Sequence, residues 1–73
     1  MARVFSVLAF PDGDGYSVTV PSLPGCFSQG VTLEEAVEHA KEAISLHVEG
    51  MEADGEPIPD EAEHRPFLAL VAV

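Results

Sequence analysis

The sequence predicts an α+β domain in which three antiparallel strands, one helix and a last strand follow in the order βββαβ. Three observations carry that expectation. The stretch Gly15 to Ala36, GYSVTVPSLPGCFSQGVTLEEA, joins an alternating strand, a proline-glycine reversal, a short second strand and a capped helix start. From Leu33 to Met51, apolar residues recur at the 3, 4 spacing of one helical face. The segments Arg3 to Phe10 and Phe67 to Val73 are apolar runs of strand length.

The first strand is expected from Arg3 to Phe10, with Phe5, Val7 and Ala9 on one face and Val4, Ser6, Leu8 and Phe10 on the other. Pro11-Asp12-Gly13-Asp14-Gly15 has the chemistry of a hairpin loop, since Gly and Asp tolerate positive φ and bond locally. The returning strand, Tyr16 to Val20, sets Tyr16, Val18 and Val20 against Ser17 and Thr19, so its register is well specified. Pro21 to Gly25 forms a rigid reversal. Cys26 to Gln29 then pairs as a third strand that Gly30 ends.

Thr32-Leu33-Glu34-Glu35 reads as a capping box: the Thr32 hydroxyl accepts from the amide of Glu35 while Glu35 reaches back to the amide of Thr32. The helix is therefore expected from Leu33 to about Ala53, with Leu33, Ala36, Val37, Ala40, Ile44, Val48 and Met51 on the sheet. Gly50 softens its last turn. A proline-bearing acidic connection, Glu56 to His64, leads to the last strand, Phe67 to Val73, which holds no polar residue. Two hairpins and a right-handed crossover give a mostly antiparallel four-stranded sheet of order 3-2-1-4, the fourth strand parallel to the first. A single helix covers one face, so the other calls for a second subunit, as a dimer or higher oligomer.

Composition bounds the function. Residues 1–73, 47% hydrophobic, make one domain with a thin core, and a lone Cys26 permits no internal disulfide. That cysteine use and the lack of a targeting segment point to the cytoplasm and away from a membrane. Thirteen acidic against three basic residues, net charge -10, argue against a phosphate backbone and for a basic protein partner.

Signals for catalysis are weak, and no catalytic, cofactor-binding or metal-binding residue is assigned. His39 and His47 lie about 12 Å apart along the helix, too far to share a metal. Glu35, His39 and Glu42 fit a solvated acidic face, and Cys26 fits a small core residue better than a nucleophile. Asp12 and Asp14 belong to a turn, so with Asp60 they make no convincing carboxylate metal site. The outer helix face is more informative: Glu34, Glu38, Glu42, Glu49 and Glu52 are offset by Lys41 alone. Like-charge pairs at i, i+4 destabilise an isolated helix by roughly 0.2–0.5 kcal/mol each, a sign that a basic partner would reverse. These five glutamates are the candidate partner-binding residues; a surface selected for solubility is the bland alternative.

GYSVTVPSLPGCFSQG followed by TLEEA resembles the N-terminal domain of HicB-like antitoxins, small proteins of bacterial and archaeal toxin and antitoxin pairs. The resemblance is carried by Gly15-Tyr16, Pro21, Leu23-Pro24-Gly25-Cys26, Gly30 and Thr32-Leu33-Glu34-Glu35-Ala36, and covers most of the chain. It implies a partial ribonuclease H-like fold, assembly into dimers or tetramers, and non-catalytic masking of a small basic toxin that cleaves messenger RNA. Many such antitoxins continue into a DNA-binding domain, whereas this sequence stops at Val73, which implies a short form and leaves autorepression on DNA in doubt. An orphan oligomeric interaction module without a toxin is the second reading. A degenerate nuclease, which would require clustered carboxylates, is the third.

Overall fold

The computed structural model describes residues 3–62 and 65–73, and shows three strands and a helix: β1 (Leu8–Asp12), β2 (Gly15–Thr19), β3 (Phe27–Gly30) and α1 (Leu33–Ala53). The strands form one antiparallel sheet of order β1-β2-β3. Leu8 stands opposite Thr19, and Thr19 opposite Phe27, so one row of side chains crosses all three strands. The β1–β2 connection is tighter than expected. Pro11 and Asp12 belong to β1, and only Gly13 and Asp14 form the turn. Gly13 has φ +60 and, among the described residues, no non-glycine residue has positive φ, which is the type II′ geometry that matches the twist of paired strands. Pro11 faces Tyr16, a position whose nitrogen points away from β2, so its missing N–H removes no ladder bond and marks β1 as a sheet edge.

The β2–β3 reversal is closed by backbone bonds from Leu23 N–H to the Val20 carbonyl, 3.0 Å, and from Cys26 N–H to the Leu23 carbonyl, 2.9 Å. It carries Leu23 into the core, where it packs with Val20, Cys26 and Val48. A second cluster joins Val18 to Ala36 and Ala40. Small residues at these two helix positions let α1 approach closely. A Cβ placed on Gly30 would lie 2.5 Å from the Ala36 nitrogen, so the first helical turn rests against bare backbone.

The helix has its expected bounds. Thr32 Oγ1 accepts from the Glu35 amide at 3.1 Å, as the capping box requires. The reciprocal bond differs: Glu35 Oε1 accepts from Val31 N–H at 3.1 Å. Gly50 does not end the helix. The end is a Schellman arrangement, with Glu56 N–H to the Met51 carbonyl, Gly55 N–H to the Glu52 carbonyl, and Gly55 at φ +69. Of the expected inner face, Ala36, Ala40 and Val48 are buried and Ile44 and Met51 half-buried, whereas Leu33 and Val37 are exposed. The helix lies over β3 and β2 and scarcely reaches β1, so these two residues project past the sheet.

The expected four-stranded order 3-2-1-4 requires correction. Residues 65–73 take part in no strand and are exposed, Phe67 and Leu70 at 98% and 95%. Residues 3–7 are also outside β1. The reason is a clamp between distant parts of the chain. Asp60 Oδ1 accepts from Val4 N–H at 3.0 Å, and Glu61 Oε2 accepts from Ser6 N–H at 2.8 Å. The Ser6 and Ser22 hydroxyls donate to Glu61 at 2.6 and 2.8 Å, while Glu61 N–H donates to the Val4 carbonyl at 2.9 Å. By strand alternation, Val4 and Ser6 point their N–H groups to the side where β2 would continue past Val20. The clamp thus stands in for β2, where β2 has already turned away at Pro21. The outer edge of β1 is left without a neighbour among the described residues. The radius of gyration, 13.4 Å, exceeds the ~11 Å of a compact chain of this length.

Candidate partner-binding surface

α1 is fixed by its inner face, and this decides where its charges point. Ala36, Ala40 and Val48 are buried against the sheet, so residues on the opposite side of the cylinder face water. Glu34, Glu38, Glu42, Glu49 and Glu52 are all exposed there. At 3.6 residues per turn they occupy a band about 80° wide and about 27 Å long. The five candidates therefore form one surface. Lys41 borders it, 3.7 Å from Glu38, and because both side chains are well exposed the pair contributes little. Leu46 stands beside the band at 69% exposure, an apolar contact point that helical periodicity alone does not single out.

A second concave region lies where β3 meets the start of the helix, an open groove of about 650 Å³ whose lining includes Asp12, Asp14, Tyr16, Phe27, Glu35 and His39. Its polar groups are engaged locally. His39 Nδ1 lies 2.7 Å from the Gln29 carbonyl, which only accepts, so Nδ1 carries the proton and donates. Glu35 is turned to Val31 N–H. Both bonds satisfy backbone at or beside the sheet edge, and Glu35, His39 and Glu42 form no ligand cluster. Among the described residues, no three His, Cys, Asp or Glu side chains converge as metal ligands. Cys26 is buried, and burial pushes its thiol above the ordinary range.

The acidic connection has a role that its composition does not reveal. Asp60 is held below the usual carboxylate range first by the Val4 N–H and then by that of Ala62. Glu61 is held low by the Ser6 hydroxyl, the Ser6 N–H and the Ser22 hydroxyl, in that order. These carboxylates organise backbone and stand apart from the glutamate band; Glu63 and His64 lie outside the described residues. The partners are 39 and 55 positions away in the chain, so no local pattern could have identified them. No helix among the described residues is long and apolar enough to cross a membrane.

Comparison with known proteins agrees with this architecture. The chain is similar to an uncharacterized 14.9 kDa protein of the rep-hol intergenic region of Haemophilus phage HP1, 48% identical over 80% of this chain and 50% of that one. It therefore spans about half the length of that relative. A UPF0150 protein of Thermoplasma acidophilum is 48% identical over 81% of this chain and 88% of its own. The crystal structure of the N-terminal domain of Burkholderia pseudomallei antitoxin HicB superposes with a TM-score of 0.67 at 34% identity, covering 94% of this chain and 95% of that one. A family model described as the HicB-like antitoxin of bacterial toxin-antitoxin systems matches residues 5–67. With the profile, the relatives and the three-stranded sheet under one helix in agreement, the chain belongs to the HicB-like antitoxin family.

Proposed function

We propose that this chain binds and masks a small basic toxin that cleaves messenger RNA, as the antitoxin of a type II pair, through Glu34, Glu38, Glu42, Glu49 and Glu52. The observation that carries the reading is the single exposed band these residues form on the helix face opposite the core. Five like charges held on a rigid scaffold attract a cationic surface at long range and orient its approach. The chain acts by binding, without catalysis or cofactor, in the cytoplasm, and touches neither nucleic acid nor membrane directly. It also associates with itself as a dimer or tetramer, a reading supported by the exposed apolar residues of 67–73 and by Phe10 and Phe27 on the sheet face that α1 does not cover. Those same residues favour a second reading, an oligomeric interaction module without a toxin.

The test is a low-salt pull-down from the native host for a small basic protein that binds this chain, with RNA cleavage by that protein assayed in the presence and absence of the chain. Reversal of Glu34, Glu38 and Glu42 to Lys should weaken binding by at least ~10-fold, since each reversal exchanges an attraction for a repulsion of order 0.5 kcal/mol. Added salt should weaken the unaltered complex in the same direction. Undiminished binding by a folded triple variant removes the helix band from the interface. Lack of any such basic partner in a low-salt pull-down favours the module without a toxin.

A further inference from the structure

Along β3 the sheet ends in an edge with which no other strand pairs among the described residues. Val20 N–H donates to the Cys26 carbonyl at 3.1 Å, and the register carries the same kind of pair on to Val18 with Ser28 and Tyr16 with Gly30. Alternation therefore turns the N–H and C=O groups of Phe27 and Gln29, and the N–H of Val31, away from β2. Such a row is a ready template for a strand from another chain. The local sequence offers nothing against it: from Tyr16 to Leu33 there is no charged residue, in a chain of net charge -10. Cys26 to Thr32, CFSQGVT, is uncharged, lacks proline and holds one glycine, the composition of a segment prone to β-addition. Phe27 and Val31 are exposed beside it.

The helix supplies what the strand lacks. His39 Nδ1 donates to the Gln29 carbonyl at 2.7 Å, so the imidazole stands where the amide of an added strand would stand. One turn earlier, Glu35 Oε1 accepts from Val31 N–H at 3.1 Å, in the place of that strand's carbonyl. The two side chains rise ~6 Å apart along the helix, near the ~7 Å two-residue repeat of a strand, so they meet alternate positions of the edge in step. Bare Gly30 brings them within reach, because it lets the backbone of Ala36 rest against β3. We propose that Glu35 and His39 close the outer edge of β3 to strand addition, so that no second chain extends the sheet on that side. Phe27 and the Gln29 N–H stay open, but a strand that paired there would have to displace both side chains to continue toward Val31. A second copy would also bring its own Asp12, Asp14 and Glu35 against the same residues, which line the groove beside this edge. The closure concerns an edge remote from residues 67–73 and does not depend on a toxin, so its failure leaves the reading of toxin binding untouched.

Amide hydrogen exchange followed by NMR on the full chain reads the edge directly. In the unaltered chain the amides of Phe27 and Gln29 should exchange at least ~10-fold faster than that of Ser28, which is turned toward β2, at about 50 µM and at about 1 mM alike. In the double variant Glu35→Ala, His39→Ala the same two amides should slow at least ~10-fold between those concentrations, as the mass measured by light scattering rises. Glu35→Gln is the matched control. At neutral pH it has the formal charge of the double variant, yet its amide oxygen still accepts from Val31 N–H, so Phe27 and Gln29 should exchange as in the unaltered chain. Helical circular dichroism checks each fold, and His39→Ala alone replaces the double variant if the latter loses helix. Protected Phe27 and Gln29 amides in the unaltered chain overturn the proposal, because the edge is then occupied. So does a folded open-edge variant whose two amides stay fast at the higher concentration, since the closure then excludes nothing. A Glu35→Gln chain that associates like the double variant also overturns it, because charge and not an occupied edge then keeps chains apart.

Discussion

Replacing Gly30 by Ala tests how closely the helix rests on the sheet. The added Cβ would meet Ala36 N at 2.5 Å, Ala36 Cα at 2.8 Å and Glu35 C at 2.9 Å, all of them helix backbone. Comfortable carbon contacts lie near 3.5–4.0 Å, so the first turn must retreat by roughly 1 Å. No flexible side chain can give way instead. Retreat loosens Ala36 and Ala40 from Val18, the whole of the second buried cluster. Overpacking costs about 1–3 kcal/mol, and backbone neighbours place this site at the upper end. The reduced freedom of the unfolded chain returns about 0.4–1 kcal/mol. The net expectation is about 2 kcal/mol, a fall in Tm of about 10–15 °C for a domain of this size. Urea unfolding followed by circular dichroism measures it, with both proteins held at one fixed concentration. Gly50→Ala is the matched control: it lies within the helix with nothing within 4 Å of the new Cβ, and should stabilise by about 0.5–1 kcal/mol. If Gly30→Ala proves as stable as the unaltered chain, or tracks Gly50→Ala, the close approach has no energetic consequence and the reasoning fails.

The remaining expectations concern the caps and the clamp. Thr32→Ala removes the acceptor for the Glu35 amide and should destabilise by about 1 kcal/mol in the same urea assay, while the bond from Val31 N–H to Glu35 persists. Glu61→Gln should lower stability at neutral pH, and the difference from the unaltered chain should itself depend on pH. The folded-state pKa of Glu61 is depressed, so its contribution is present above the unfolded value and lost as pH falls through the folded one. The gap between the two proteins, followed from about pH 6 down to about pH 3, should therefore narrow. Taking the difference removes the opposite effect of relieving repulsion among the helix glutamates. A gap that stays constant or widens on acidification contradicts the clamp.

What was legible from the sequence lies within short spans of chain. The Thr32 cap, the bounds Leu33–Ala53, the three-strand meander and the shared outward direction of the five glutamates follow from contacts a few residues apart. The hairpin loop is shorter than its composition suggests: Pro11 and Asp12 favour turns, yet Pro11 is tolerated in β1 where its nitrogen points off the sheet. Periodicity puts Leu33 and Val37 on the inner helix face, but it does not report how far the opposing sheet extends. Leu46 is the complementary case, since its exposure depends on what fails to cover it.

By itself, the sequence determined the order of the three strands and the helix, the helix termini, the net charge, and the family signature between Gly15 and Ala36. Only the tertiary structure decided what residues 56–73 do. It placed Asp60 and Glu61 on Val4, Ser6 and Ser22, and it left 65–73 outside the sheet under a helix displaced toward β3. A cap or a hairpin is encoded by side chains that meet their own backbone within a turn. A carboxylate that finds an amide 55 residues away, or an apolar segment that joins no sheet of its own chain, is settled by how the packed elements divide a limited buried surface among themselves.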